Sequence, residues 1–234
     1  MKKIDRVAKT GEHFTVTLEG GETVEAMTVI VCTGSTPKRA GFKGEDEYFG
    51  KGVSTCATCD GFFYKDKPVT VLGGGDTALE EAFFLSNICS DVYVVHRRDE
   101  FRAAPPTLER VERKENIHLI TNSVIEEAVG NAMGLTGIDI KNNDGTISHM
   151  DNTGLFVFVG HDVRNDVLKD ENGEFICEMN DWGQVIVDLS MKTSVPGLFA
   201  AGDIRIEAPK QVVSAAGDGS IAALQVISYI QEQQ

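Results

Sequence analysis

Val69-Thr70-Val71-Leu72-Gly73-Gly74-Gly75-Asp76-Thr77-Ala78 carries the pattern that decides the fold of this chain. An apolar run meets three glycines. Beyond them Ala78, Leu79, Ala82, Phe83 and Leu85 stand against polar Glu80, Glu81 and Ser86 at a helical period, and a second apolar run follows at Val92 to Val95. Strand, glycine turn, helix and strand in that order define a parallel βαβ unit, because parallel strands need a crossover. Gly73 and Gly75 permit a tight turn and close backbone approach, so the N–H groups around Asp76, Thr77 and Ala78 can face a pyrophosphate. The same Gly-x-Gly-x-x-Ala pattern also serves as a bare strand–helix turn. The strand before it and the helix after it favour a nucleotide.

The end of the second strand chooses the nucleotide. An NAD site places an acidic residue there for the ribose hydroxyls, whereas here Val95 is followed by His96-Arg97-Arg98, with Arg102 one helical turn further on. These arginines can grip a 2′-phosphate through charge-assisted, often bidentate bonds, which selects NADP over NAD. A solvated basic patch is the alternative. His96 either joins that site or simply ends the strand.

Upstream, residues 4–8, 13–18, Val24 and 27–32 are separated by Gly11-Glu12 and Gly20-Gly21, and read as a small antiparallel meander ending at Thr33-Gly34. Residues 41–67 are rich in Gly, Asp, Lys and aromatics and read as a connecting, functional stretch. Downstream, a helix at 107–114, a strand at 117–121 and hairpin strands beyond it close an α/β unit at 155–160. After a polar stretch come strands at 185–187 and 198–201, the latter ending in Gly202-Asp203, and a last amphipathic helix through Ile221, Ala222, Leu224, Ile227 and Ile230. The order predicts a domain at 39–161 inserted between two parts of another, 1–38 and 162–234.

With 22 basic against 36 acidic side chains the chain has a formal net charge of -14, which argues against a nucleic-acid surface. A bound phosphate must therefore find its own local arginines. Met1-Lys2-Lys3 is followed by a mixture of Asp, Arg and Lys rather than an apolar region, so no signal peptide is read, and no run approaches a membrane span. Five cysteines with one close pair argue against a disulfide scaffold and for a cytoplasmic protein with one redox or metal pair. Cys56-Ala57-Thr58-Cys59 is either a redox dithiol or half of a zinc site. No further two ligands are evident, and the neighbouring nucleotide unit favours redox work, so no metal is expected. Cys32, Cys89 and Cys177 read as inert packing residues. Asp60 either shuttles a proton for a leaving thiolate or merely forms the turn.

Cys56-Ala57-Thr58-Cys59-Asp60-Gly61, Gly73-Gly74-Gly75-Asp76-Thr77-Ala78, His96-Arg97-Arg98-Asp99 and Gly197-Leu198-Phe199-Ala200-Ala201-Gly202-Asp203 stand in an order that resembles bacterial-type thioredoxin reductases. The resemblance runs over nearly the whole chain. It implies a Rossmann-like NADPH-binding domain inserted in an FAD-binding domain, and transfer of electrons from NADPH through FAD and a Cys56–Cys59 disulfide to thioredoxin or a similar small disulfide protein. It further implies that Cys59 faces the flavin, Cys56 attacks the substrate and Asp60 is the acid/base. Thr33, Gly34, Gly202, Asp203, Lys210, Gln211 and Val212 then belong to the FAD site, where the following helix can aim its positive end at an electron-rich flavin edge. A homodimer and a rotating NADPH domain are implied in the same way.

Two departures are visible. Lys210 stands where the family often has Arg, and the family's amino-terminal βαβ unit is missing, since residue 1 already falls in the meander. This predicts a fragment, a misplaced start or a degenerate relative that holds FAD poorly. Two other functions compete with the reductase. A peroxiredoxin-reducing flavoprotein carries an extra thioredoxin-like domain, which is not visible here, and a silent NADP-binding module has no need of the cysteine pair.

Overall fold

The computed structural model describes residues 2–233; Met1, read above as part of the meander, lies outside the described residues. The chain forms two compact units, one made of Met1–Thr36 with His161–Gln234 and the other of Pro37–Gly160. The second is inserted in the first.

In the first unit, β1 (Ile4–Thr10), β2 (His13–Leu18) and β3 (Thr23–Ala26) form the antiparallel meander. The run expected to extend it does not. β4 (Val29–Val31) pairs in parallel with β15 (Leu198–Ala200) instead, a partner more than 160 residues away that local spacing cannot announce. β5 (Ser35–Pro37) pairs with β14 (His161–Val163) where the chain leaves and re-enters this unit. β15 alternates sides as a strand must. Leu198 and Ala200 join Phe14, Val7 and Val31 in one core, while Phe199 and Ala201 pack with Ala222 and Tyr229 of α4 (Val212–Glu232). The strand expected at 185–187 is a correction: Val185 makes only isolated bridges, to Met179 and Arg205.

The inserted unit is built on a parallel five-stranded sheet in the order β6, β13, β7, β8, β9. Its strands are β6 (Val53–Ser54), β7 (Val69–Gly73), β8 (Val92–Val95), β9 (Ile117–Ile120) and β13 (Leu155–Phe158). Every residue of β7 is buried, as expected where both faces of a parallel sheet are covered. Val69, Val71, Val92, Val94 and Phe156 meet α2 (Asp76–Leu85) and α3 (Pro105–Glu112) on one face. Leu72, Val95, Leu155 and Val157 meet Ile125, Ala128, Ile138 and Ile140 on the other. Those partners lie in a second sheet of β10 (Ser123–Asn131), β11 (Gly134–Asn142) and β12 (Ile147–Asp151). α2 buries Ala78, Leu79, Ala82 and Leu85, one helical face. α3 starts on prolines, whose fixed φ suits a first turn. The stretch read as connecting also contributes core, through buried Tyr48 and Val53, and carries the short helix α1 (Ala57–Asp60).

Candidate functional site

In a parallel sheet all carboxyl ends lie along one edge, and ligands gather outside that edge. β6 leads there into Cys56, β7 into the glycine turn and β8 into His96 and the arginines. Only β13 separates β6 from β7, which sets those two strands about 10 Å apart at the usual strand spacing.

Cys56 and Cys59 form a disulfide with Cα atoms 5.3 Å apart. Cys56 is the N-cap of α1, and its Sγ accepts the backbone N–H of Cys59 at 3.1 Å. A helix start favours negative charge, so the same N–H stabilises a thiolate on Cys56 once the bond is reduced. Cys59 is exposed and Cys56 half-buried. Asp60 closes the helix, its Oδ2 accepting the hydroxyl of Ser54 at 2.6 Å. The Ser54 hydroxyl in turn accepts the N–H of Cys56 at 3.1 Å. Ser54 was not singled out from the sequence, because a serine two residues before a cysteine carries no periodic signal.

At the glycine turn, an added Cβ on Gly73 would stand 2.5 Å from the Phe158 oxygen and 2.6 Å from Cβ of Ala78, so glycine lets strand, turn and helix meet. Gly75 is the N-cap of α2 and leaves its helix start open. Asp76 and Thr77 are exposed in the first turn, and Oδ1 of Asp76 accepts the N–H of Ala104 at 2.8 Å. A cleft of about 360 Å³ opens here, lined by Gly73, Gly74, His96, Arg97, Arg102 and Phe158 among others. Arg98 is exposed but does not line it. His96 is buried and stacks on Phe101, and its pKa is lowered by burial and by Arg102, Arg97 and Arg98.

The inserting unit has its own cleft, of about 290 Å³, lined by Cys32, Gly34, Ser35, Gly202, Asp203, Lys210, Gln211, Val212 and neighbours. Thr33 lies beside it rather than in its wall, donating its hydroxyl to the Arg164 oxygen at 2.5 Å. The backbone at Gly34 and Gly202 has φ of +72° and +77°, the left-handed region that glycine enters without strain. Glu207 and Lys210 hold positive φ without being glycine, marking a constrained loop. Its base is tied by Asp218 on α4, which accepts Nε and Nη2 of Arg205 at 2.6 and 2.9 Å and the N–H of Gly202 at 3.1 Å. The sequence reading missed this clasp and also His161, whose pKa is lowered by burial and by Lys210. Cys32, read as packing, is a correction: it is exposed and lines the cleft, because β4 ends here at the edge of a parallel pair. Cys89 and Cys177 are buried, which pushes each thiol up to about 11.

The residues of this second cleft fit a flavin. Ser35 Oγ is buried without a hydrogen-bond partner, two glycines keep the wall low, and Gln211 does not cap α4 with its side chain, which leaves the first-turn N–H groups for an acceptor. Among the described residues no group of three or more His, Cys, Asp or Glu side chains is placed to hold a metal, and no helix is long and apolar enough to cross a membrane.

A parallel sheet with a glycine turn, an arginine-lined cleft and a two-cysteine disulfide along one edge is the apparatus of a nucleotide-dependent disulfide oxidoreductase. Residues 1–219 match the family of pyridine nucleotide-disulphide oxidoreductases. A thioredoxin reductase of Helicobacter pylori (strain J99 / ATCC 700824) is 57% identical over 99% of this chain and 75% of that protein. The solved thioredoxin reductase from Giardia duodenalis superposes with a TM-score of 0.93 at 36% identity, over 98% of this chain and 74% of that one. That from Streptococcus pyogenes MGAS5005 gives 0.89 at 35% identity, over 99% and 74%. The chain belongs to the pyridine nucleotide-disulphide oxidoreductases, in their thioredoxin reductase branch, and spans about three quarters of the length of these relatives. Enzymes of this branch are flavoproteins that use FAD and NADPH.

Proposed function

We propose that this chain reduces thioredoxin, taking electrons from NADPH held at the Gly73–Ala78 turn and delivering them through the Cys56–Cys59 pair. The observation that carries the reading is the disulfide standing on the same sheet edge as the arginine-lined nucleotide cleft. The units 1–38 with 162–234 and 39–161 serve FAD and NADPH respectively. Gly34, Gly202, Asp203, Lys210, Gln211 and Val212 would hold FAD, with Thr33 behind them. FAD held there would supply the chemistry that relays an electron pair from NADPH to the disulfide.

The chain's own residues do the rest. The first-turn N–H groups of α2, beside Gly75, Asp76, Thr77 and Ala78, receive the pyrophosphate, and Arg97 and Arg102 the 2′-phosphate, with Arg98 at the rim. In the reduced pair the Cys56 thiolate, held by the Cys59 N–H, attacks one sulfur of the substrate disulfide and displaces the other as a thiolate. Asp60 donates the proton that this leaving thiolate needs. Cys59 then attacks Cys56, restoring the disulfide and releasing the second substrate thiol. Phe62 and Phe63, 68% and 76% exposed three and four residues after Cys59, give a protein substrate an apolar foothold. The working form is a cytoplasmic homodimer.

The test needs only the dithiol. The chain is reduced chemically, freed of reductant and mixed with oxidised thioredoxin. One thioredoxin disulfide reduced per chain, lost in Cys56→Ser, is expected; no reduction, or reduction unaffected by Cys56→Ser, refutes the reading.

A further inference from the structure

Gly74 is the middle glycine of the turn, and its backbone does not require glycine, since its φ lies outside the left-handed region. What excludes a side chain is His96. A Cβ on Gly74 would clash with the imidazole, overlapping the van der Waals surfaces of Cε1 and Nδ1 and standing 2.6 Å from Nε2. The ring cannot yield as a flexible side-chain end would. It stacks on Phe101 at 5.0 Å, its Nε2 meets the Glu100 oxygen at 3.2 Å, and its backbone bonds Ile120 and Ser123 on both sides.

The loop after His96 is sewn to the same turn. Arg102 donates its N–H to the Gly74 oxygen at 2.8 Å, and Ala104 donates to Asp76. We infer that His96 is a positioning residue for nucleotide choice: a wedge between Gly74 and Phe101 that fixes the pyrophosphate turn and the Arg97–Arg102 loop as one preformed unit. Gly74 is glycine to admit that wedge. The ring works as a neutral body, so the positive charge in the cleft comes from the arginines, in keeping with its lowered pKa. This rests on the NADPH reading of the cleft and adds to it the residue that sets the spacing between its two phosphate subsites.

The test is a double-mutant cycle on the full chain, titrating NADPH and NADH against wild type, Gly74→Ala, His96→Ala and the double variant. Preference of the wild type for NADPH checks the cleft reading by itself; the cycle checks the wedge. Gly74→Ala is expected to weaken NADPH about tenfold alone and less than about twofold in the presence of His96→Ala, because the methyl group then has room. His96→Ala is expected to lower the NADPH-to-NADH affinity ratio, which a general loss of fold stability leaves unchanged, and His96→Phe, which keeps a ring in place, to retain most of it. Equal factors for Gly74→Ala in both backgrounds, or equal losses of both nucleotides in His96→Ala, overturn the inference. Should Gly74→Ala fold only together with His96→Ala, the coupling is demonstrated directly; should neither fold, the ratio in His96→Ala against His96→Phe decides.

Discussion

Ser54 donates its hydroxyl hydrogen to Oδ2 of Asp60 at 2.6 Å, and so ties the last residue of β6 to the residue that follows the cysteine pair. Because the Ser54 Oγ also accepts the Cys56 N–H, one buried hydroxyl holds both the Cys56 backbone and the Asp60 carboxyl group. Ser54→Ala leaves a donor at Cys56 without its acceptor and releases the Asp60 carboxylate. The expected cost is about 1–3 kcal/mol in urea unfolding, together with slower exchange between the reduced chain and thioredoxin. Unchanged exchange would separate Asp60 from the proton step.

Arg97 and Arg102 line the cleft beside the glycine turn and Arg98 does not. Arg97→Ala should therefore weaken NADPH by about 1.5–3 kcal/mol, the worth of a hydrogen bond to a charged group, and barely touch NADH. Arg98→Ala should do distinctly less. Calorimetric titration of both nucleotides checks the ranking, and equal losses of NADPH in the two variants would contradict it.

Asp218 is buried and Arg205 partly so, and removing the carboxylate loses its charge-assisted hydrogen bonds to Arg205 and leaves the Gly202 N–H without its acceptor. Asp218→Ala should destabilise its unit by about 1.5–3 kcal/mol. The Arg205 guanidinium, and then the Gly202 N–H, hold the Asp218 carboxyl below the usual carboxylate range against the opposing effect of burial. A depressed folded pKa means stability present in full above the unfolded value, near pH 4, and lost as pH falls through the lower folded value. Unfolding followed from pH 6 down to about pH 2 should show this acid-side slope in the wild type and a shallower one in Asp218→Asn.

His149 has the opposite sign. Asp139 at 2.6 Å, with Asp151 further off, raises its pKa above the ordinary 6.5. The stabilisation is complete below that ordinary value and disappears as pH rises through the raised folded one. An NMR titration should find the His149 midpoint above that of a model imidazole, and Asp139→Asn should bring it down.

Cys32 is the exposed free thiol, whereas Cys89 and Cys177 are buried with thiols pushed up to about 11. Iodoacetamide at pH 8 should modify Cys32 first, as mass spectrometry of the digested chain would show, and FAD should slow that reaction if its site is the cleft Cys32 lines. Equal labelling with and without FAD would place the flavin elsewhere.

The sequence alone determined the βαβ unit, since buried parallel strands, a glycine turn and an amphipathic helix are each written in neighbouring residues between Val69 and Val95. It likewise determined the cysteine pair and the basic stretch after β8, because adjacent residues carry both signals. Tertiary structure alone decided what distant segments share. It turned β4 from a fourth meander strand into the parallel partner of β15, brought Cys32 to a cleft wall, closed Arg205 onto Asp218, and set Ser54 between Cys56 and Asp60. It also explained Gly74. In sequence that residue is one more glycine in a turn; in the fold, His96 occupies the space a side chain would need. Local periodicity reports the backbone a segment prefers, whereas excluded volume and buried hydrogen bonds depend on which segment arrives from elsewhere in the chain.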